Sequence, residues 1–269
     1  MSEIEVVKWD GNTQPYDREK IRLTLYRYGL SEKDIEHTLD NLEQTLFDGI
    51  TTKEIFQLIE IQSKNKHRTQ KRDLRTALGE MNSKPDFEFF IQQLLEKTGY
   101  TVHNTREIPG KCVTHEIDGV AEKDGKLYYI ETKHHSKPHI RTPFIQTLAA
   151  KSKLDDIRAG FQMGKNEFDF ERVIMLCNTK MTSHADRYAK CVGIQHIGWK
   201  TPDGGIEQMI RETKTYPVTL LASASKIEKK KLSDAGIVTL DDLLKVEWIK
   251  SVSKENLYKL KTEARRINN

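Results

Sequence analysis

The residues best suited to chemistry are an aspartate and, after a short turn, a Glu-Thr-Lys run. Asp118 closes one apolar run, Glu131-Thr132-Lys133 closes the next, and Asp124-Gly125 between them predicts a hairpin turn. Side chains two apart on a strand share a face, so Glu131 and Lys133 point the same way beside Asp118. Two carboxylates beside an ammonium suit a hard divalent cation and metal-assisted phosphodiester cleavage. The alternative is a surface ion-pair cluster without chemistry.

Helices and strands alternate around this hairpin. Apolar patterns predict helices over 87–95 and 142–158 and after Thr182 or Ser183, and further strands over 100–105, 172–177 and 193–199. The order α-β-β-β-α-β-α-β predicts a mixed sheet flanked by helices, which is an α/β core within an α+β chain.

In this order of elements, the acids and the lysine resemble the PD-(D/E)xK nuclease superfamily, and most closely its Mrr-type restriction endonuclease branch. The matching positions are Phe87-Glu88, Gly99-Tyr100, Asp118-Gly119, Glu131-Thr132-Lys133 and Gln146. Acids and lysines are common, so the Asp…Glu-x-Lys string alone is weak. The ordered set within the predicted elements is much more specific.

The resemblance implies a role for each of these residues. Asp118, Glu131 and the Thr132 carbonyl would hold Mg²⁺ or Mn²⁺, with Glu88 near its waters or at a second ion. Lys133 would orient or help deprotonate the attacking water and stabilise charge on the scissile phosphate. Gln146 would contact DNA or a metal-bound water, unless it is a solvated helix residue. A nuclease fold without activity is a further alternative.

A histidine-rich segment, His134–His139, follows Lys133. Its three histidines have no cysteine partner and no helical spacing, which disfavours a zinc site. We expect them to line a substrate groove in which Lys137 and Arg141 contact DNA. His115, three residues before Asp118, is expected to face the site.

The N-terminal segment predicts a short strand over 4–9, a glycine turn and three helices. Asp17 caps the first helix, Ser31 the second, and Thr52 opens the third. The third helix is expected to continue through the basic run 64–75, which has six Lys or Arg and one acid, to Leu78. Two interpretations of this run stay open: its side chains face a bound nucleotide, or they are simply exposed to solvent.

Several spaced elements of this segment resemble the ATP-cone domain, a small nucleotide-binding regulatory module. They are Val6-Val7-Lys8, Gly11, Tyr16-Asp17-Arg18-Glu19-Lys20-Ile21 and Gly49-Ile50-Thr51-Thr52-Lys53-Glu54-Ile55. The resemblance implies that ATP or dATP binds at Val7, Lys8, Gly11, Lys20 and Ile21. A tight glycine turn brings backbone N–H groups close to phosphates, and the two lysines add positive charge. Both lysines could instead be ordinary surface residues.

The C-terminal segment, from about Pro217, is helical and basic, with eleven Lys or Arg against seven acids. Its stretch Gly236–Leu244 resembles the turn and second helix of a helix-hairpin-helix module. Such modules offer backbone N–H groups and lysines to DNA phosphates without reading sequence. Lys229, Lys230 and Lys231 fit that use, whereas a small protein-interaction bundle is the alternative.

Composition sets broad limits. The 269 residues suit two or three domains, and 36% hydrophobic with 31% charged residues describes a charge-rich globular chain. No apolar run approaches the about 20 residues of a membrane span, and the start has no signal-peptide pattern. Cys112, Cys177 and Cys191 are odd in number and scattered, as in reduced cytoplasmic proteins. The net charge of +4 is too small to identify a partner.

The resemblances predict an ATP-cone over 1–82, a nuclease domain over 83–214 and a helical DNA-binding domain over 215–269. The expected activity is Mg²⁺-dependent endonucleolytic cleavage of DNA, regulated by ATP or dATP through a dimer or higher homo-oligomer. We expect a cytoplasmic protein with no membrane contact. Two alternatives stay open: a nucleotide-sensing DNA-binding regulator that does not cut, and a nuclease for RNA or branched DNA.

Overall fold

The computed structural model describes residues 4–8, 11–27, 32–63, 73–104, 106–201, 204–250 and 252–268. The chain forms two compact units, residues 1–72 and 73–269. The expected helix caps at Gly29 and Ser31 and most of the basic run, 64–72, lie outside the described residues. Among the described helices, none is long and apolar enough to cross a membrane.

In its described residues, the first unit has a three-stranded sheet and three helices. Its elements are β1 (Glu5–Val7), β2 (Thr13–Pro15), α1 (Arg18–Arg27), α2 (Glu32–Glu43), β3 (Ile50–Thr51) and α3 (Thr52–Ser63). β1 pairs antiparallel with β2 and parallel with β3. Asp17 caps α1 as expected, because its Oδ1 accepts from the N–H of Lys20 at 3.2 Å. Arg18 joins α1 to α2 through Glu36 and Asp40.

The second unit begins with α4 (Leu74–Gly79), a π-helical turn (Ser83–Phe87) and α5 (Glu88–Lys97). The strands and helices of its core then follow in the order β4 (Thr101–His103), β5 (Arg106–Pro109), β6 (Thr114–Ile117), β7 (Gly119–Lys123), β8 (Lys126–Lys133), α6 (Phe144–Gln162), β9 (Phe170–Cys177), α7 (Ser183–Cys191), β10 (Gln195–Ile197) and α8 (Ile206–Thr213).

Five of these strands form a mixed sheet in the order β10-β9-β8-β7-β4. β8 is the central strand; it pairs antiparallel with β7 and parallel with β9. The two faces of β8 enter different cores: Ile130 packs with α4 and α5, whereas Tyr129 packs with α6 and α7. The predicted mixed sheet flanked by helices is confirmed.

Two local features differ from the sequence-based expectations. The third N-terminal helix was expected to reach Leu78, but this is wrong because Asp73 has an extended backbone (ψ 127°) and caps a separate α4. A two-stranded sheet of β5 and β6 was not expected at all. It packs on α6, where Asp156 accepts from the N–H of Cys112 at 2.9 Å and lies 2.8 Å from Nε2 of His115.

The C-terminal module is helical, as expected. A 3₁₀ turn (Val218–Leu220) precedes α9 (Lys226–Asp234), α10 (Leu240–Lys245) and α11 (Lys254–Asn268). Reciprocal capping boxes start α9, between Ser225 and Glu228, and α10, between Thr239 and Asp242. Such caps fix where each helix begins and so define the turn between them.

Polar contacts join this module to the rest of the second unit. Ser233 donates to Asp86 at 2.7 Å, and Gln93 on α5 donates to Asp242 at 3.0 Å. Lys229 was expected to contact DNA, but its side chain is buried. Its Nζ lies 2.6 Å from Glu80 and 2.7 Å from the Thr219 carbonyl. Lys229 therefore holds the module in place, whereas Lys230 is exposed and Lys231 partly exposed.

Replacing Lys229 should destabilise the second unit. We expect Lys229→Met to lower the free energy of unfolding by about 1–3 kcal/mol, because the Thr219 carbonyl and Glu80 each lose their contact with the buried Lys229 ammonium. Lys230→Met, one residue away and exposed, should change it by less than about 0.5 kcal/mol. Urea unfolding of the full chain followed by circular dichroism compares the two, and equal effects would contradict this role of Lys229.

Candidate active site

The Asp118 carboxylate is fixed at the end of β8. β7 starts at Gly119, opposite Ile130, and Asp118 lies at the bend between β6 and β7. Because the chain turns away there, β7 supplies no backbone partner for Thr132, and the side chain of Asp118 takes that place. Its Oδ2 accepts from the N–H of Thr132 at 2.7 Å and from the Thr132 hydroxyl at 2.9 Å.

The bend is held from the other side by α5. The buried amide of Gln92 donates to the backbone carbonyl of Asp118 at 3.0 Å. Gly119 packs tightly beside it: a Cβ there would lie 3.0 Å from the carbonyl oxygen of His103 and 3.2 Å from Ile130, closer than most Cβ contacts. The Asp-Gly pair at this position therefore reflects tight packing rather than a turn conformation.

Glu131 and Lys133 share one face of β8, as the spacing predicted. The Lys133 Nζ lies 2.5 Å from Oε1 of Glu131. The other carboxylate oxygen, Oε2, accepts from the Tyr129 hydroxyl and lies 3.4 Å from the Nζ of Lys153 on α6. The carboxylate of Glu131, with 6% of the residue exposed, is thus surrounded by three donors.

Glu88 lies at the start of α5 and is also buried. The Nζ of Lys84, in the turn before α5, is 3.2 Å from Oε1 of Glu88, 2.9 Å from Glu116 on β6 and 3.8 Å from Oδ1 of Asp118. One ammonium therefore contacts three carboxylates from three different elements, and Glu88 joins the Asp118 side of the site.

Burial and neighbouring charges shift the pKa values of Glu88 and Glu131 in opposite directions. Burial, and then the charge of Asp118, raise the pKa of Glu88 above its ordinary value, although Lys84 opposes this. Burial also disfavours the charged form of Glu131, but Lys133, Lys153 and Tyr129 outweigh it, so its pKa is lowered. The Glu131 carboxyl therefore loses its proton more readily than a free glutamate does, and the Glu88 carboxyl loses its proton less readily.

The donor chemistry of the site fits a magnesium ion. In the described residues, no three His, Cys, Asp or Glu side chains form a group that could hold a metal by themselves. Mg²⁺ is usually bound by only one or two carboxylates and keeps several waters, in contrast to an all-protein cage. Asp118, Glu131 and a backbone carbonyl such as that of Thr132 are donors of this kind.

Other predicted residues lie around the end of β8. Lys137 and Arg141 are exposed in the loop between β8 and α6, and Gln146 is partly exposed in the first turn of α6. Asn178 staples the start of this loop, accepting from the N–H of His135 and donating to its carbonyl, both at 2.8 Å.

Three of the predicted histidines, His115, His134 and His135, make internal contacts. His134 Nε2 lies 2.9 Å from the Leu78 carbonyl, and His135 Nε2 lies 3.1 Å from the hydroxyl of Thr142. Burial lowers the pKa of both imidazoles. His115 was expected to face the site, but it points to Asp156 instead.

Four residues near the acids were not identified from the sequence: Lys84, Glu116, Tyr129 and Lys153. For two of them, the sequence spacing could have indicated their position near the site. Tyr129 stands two residues before Glu131, hence on the same face of β8, and Lys153 stands seven residues after Gln146, hence on the same side of α6. Lys84 and Glu116 reach the site only through the tertiary fold.

The predicted nucleotide-binding residues lie on two elements of the first unit. Val7 ends β1, Lys8 follows it, and the N–H of Gly11 donates to the Lys8 carbonyl at 3.0 Å. Gly11 has a φ of +81°, which a side chain would disfavour. Lys20 and Ile21 lie in the first turns of α1, and Lys20 is exposed with its Nζ 3.4 Å from Asp17.

Three family models match consecutive parts of the chain. An ATP cone domain matches residues 4–76, a restriction endonuclease domain of the Mrr type matches residues 78–197, and an AF1548-like C-terminal domain matches residues 216–268. The expected architecture of cone, nuclease-type domain and C-terminal module is confirmed. The helix-hairpin-helix resemblance of the module stays a prediction.

Two relatives extend this result. An uncharacterized protein of Archaeoglobus fulgidus is 32% identical over 158 residues, which are 57% of this chain and 83% of that protein. The crystal structure of the protein of unknown function AF1548 superposes with a TM-score of 0.56 and 28% identity, over 73% of this chain and 98% of the other. This chain has an ATP-cone domain, an Mrr-type restriction endonuclease domain and an AF1548-like C-terminal domain in that order. It therefore belongs to the same family as the Archaeoglobus protein.

Proposed function

We propose that this protein is a divalent-metal-dependent endodeoxyribonuclease of the cytoplasm, regulated by ATP or dATP. The observation that carries the proposal is that Thr132 on β8 fixes the Asp118 carboxylate through two hydrogen bonds. Glu131 and Lys133, on either side of Thr132, lie on the same strand. The match to a restriction endonuclease domain supports the same reaction class.

Each residue of the site has its own role in the proposed reaction. Asp118 and Glu131 would hold the ion, which when bound supplies Lewis-acid stabilisation at the scissile phosphate. Lys133 keeps about a quarter of its side chain exposed, so its ammonium can reach a substrate phosphate or orient the attacking water. Tyr129 and Lys153 hold the Glu131 carboxylate in a fixed position. Preorganised charges of this kind lower the barrier without rearrangement during the reaction.

DNA would approach from the end of β8. Exposed Lys137 and Arg141 lie in the loop after Lys133, and Lys230 and Lys231 offer further positive charge on the C-terminal module. Contacts of lysine and arginine with phosphates supply affinity that is independent of sequence and weakens with salt.

Removing either Asp118 or Lys133 should abolish cleavage but not binding. We expect Asp118→Asn and Lys133→Met each to slow plasmid cleavage in Mg²⁺ by at least about a hundredfold. Duplex binding, measured by fluorescence anisotropy in EDTA, should stay within about threefold, because phosphate contacts elsewhere persist. Glu171→Gln is the matched control, a partly exposed acid paired with Lys126 at 3.3 Å on the same domain.

The outcome separates the rival functions. A wild-type protein that binds duplex yet never cuts it in Mg²⁺ or Mn²⁺ would be a DNA-binding regulator. Cleavage of RNA or junction oligonucleotides in preference to duplex would show a structure-specific or RNA-directed nuclease. Loss of activity in Glu171→Gln as well would mean that the Asp118 result reflects instability.

The ATP-cone domain is the proposed sensor, acting through a change of homo-oligomeric state. We expect Lys8→Ala and Lys20→Ala each to weaken ATP or dATP binding by about tenfold, because each removes a charged partner of the phosphates. Lys33→Ala, an exposed lysine on α2, is the control. Isothermal titration calorimetry measures affinity, and light scattering measures mass with and without nucleotide. Unchanged affinity in both variants would refute these positions, and unchanged mass would refute the assembly mechanism.

A further inference from the structure

Lys84 has an unusual position for an exposed lysine. Its side chain is 58% exposed, yet its Nζ lies within 4 Å of carboxylate oxygens of Glu88, Glu116 and Asp118. These acids come from α5, β6 and the β6–β7 bend. The ammonium therefore neutralises a group of acids that the fold has brought together from separate segments.

The contact with Asp118 involves a particular oxygen. Oδ2 accepts both hydrogen bonds from Thr132, whereas Oδ1 is the atom 3.8 Å from Lys84. A cation that replaces Lys84 would therefore meet Oδ1 of Asp118, while Oδ2 keeps its two hydrogen bonds to Thr132. A 3.8 Å ion pair without a hydrogen bond is easily exchanged for another cation.

The other half of the site is neutralised in the same way. Glu131 has two ammonium groups, those of Lys133 and Lys153, within 3.4 Å. Lys133 and Lys153 are two-thirds or more buried, whereas Lys84 is more than half exposed. Of these three lysines, Lys84 can most readily withdraw into solvent.

We propose that Lys84 is an internal counter-ion that competes with the divalent cation for the Asp118 side of the site and thereby sets its metal affinity. The inference rests on the proposed metal-dependent function. The ammonium balances Glu88, Glu116 and Asp118 when no metal is bound, and it withdraws when the ion enters. The site can then stay folded without metal, at the expense of weaker metal binding.

Metal affinity measured without substrate tests this role. Mn²⁺ is titrated into the metal-free full chain, and the signal of the free ion is followed by electron paramagnetic resonance. Removing the charge should let Lys84→Gln bind Mn²⁺ about fivefold more tightly than the wild type. Lys84→Arg keeps the charge and should retain wild-type affinity. Lys126→Gln is the matched control, since this lysine is 54% exposed and pairs with Glu171 away from the acids.

Thermal unfolding separates this role from a merely structural one. In EDTA, Lys84→Gln should melt below the wild type because three neighbouring carboxylates lose their counter-charge, and Mn²⁺ should raise its melting temperature more than that of the wild type. Lower stability with unchanged or weaker Mn²⁺ affinity would overturn the proposal and leave Lys84 a structural bridge.

Asp118→Asn distinguishes this inference from the proposed function. If wild-type Mn²⁺ binding is lost in Asp118→Asn while Lys84→Gln matches the wild type, only the role of Lys84 is wrong. If the wild type binds no Mn²⁺, or binds it equally well in Asp118→Asn, the metal site of the proposed function fails, and the role of Lys84 fails with it.

Discussion

The hydrogen bonds between Asp118 and Thr132 are the constraint on which the site depends. β7 and β8 stop pairing at Gly119 and Ile130, so the N–H of Thr132 would have no partner on that edge. A buried N–H without a partner is costly, and the Asp118 carboxylate removes that cost at 2.7 Å. The same contact that completes the hydrogen bonding of β8 thus fixes an acid near Glu131, the residue before Thr132.

Carboxylates that are held close together repel one another, and lysines from distant segments of the chain neutralise their charge. Four carboxylates, those of Glu88, Glu116, Asp118 and Glu131, gather around the end of β8. The ammonium groups that neutralise them come from the turn before α5, from β8 itself and from α6. Burying an unpaired carboxylate is strongly unfavourable, so these pairs let the acids remain charged in the absence of a metal.

The sequence identified the parts of the site that depend on local spacing. Asp118, Glu131 and Lys133 could be predicted because a hairpin and strand alternation fix their relation within about fifteen residues. Lys84 and Glu116 could not, since their contact requires the approach of α5 and β6 in the fold. The β5–β6 pair was missed because no Asn-Gly or Asp-Gly marks its turn. The burial of Lys229 was missed because adjacent lysines on one helix look alike in sequence but face different surroundings.

Adjacent residues of α5 connect the site with the C-terminal module. Gln92 holds the backbone of Asp118, while the next residue, Gln93, bonds to Asp242 and to Thr239 at the start of α10. Consecutive helix residues point about 100° apart, so one rigid helix can serve both partners. Because a shift of α5 would disturb the Asp118 bend, the contacts at α10 and the buried Lys229 also limit movement at the acids. The module therefore contributes to the geometry of the site as well as offering a basic surface.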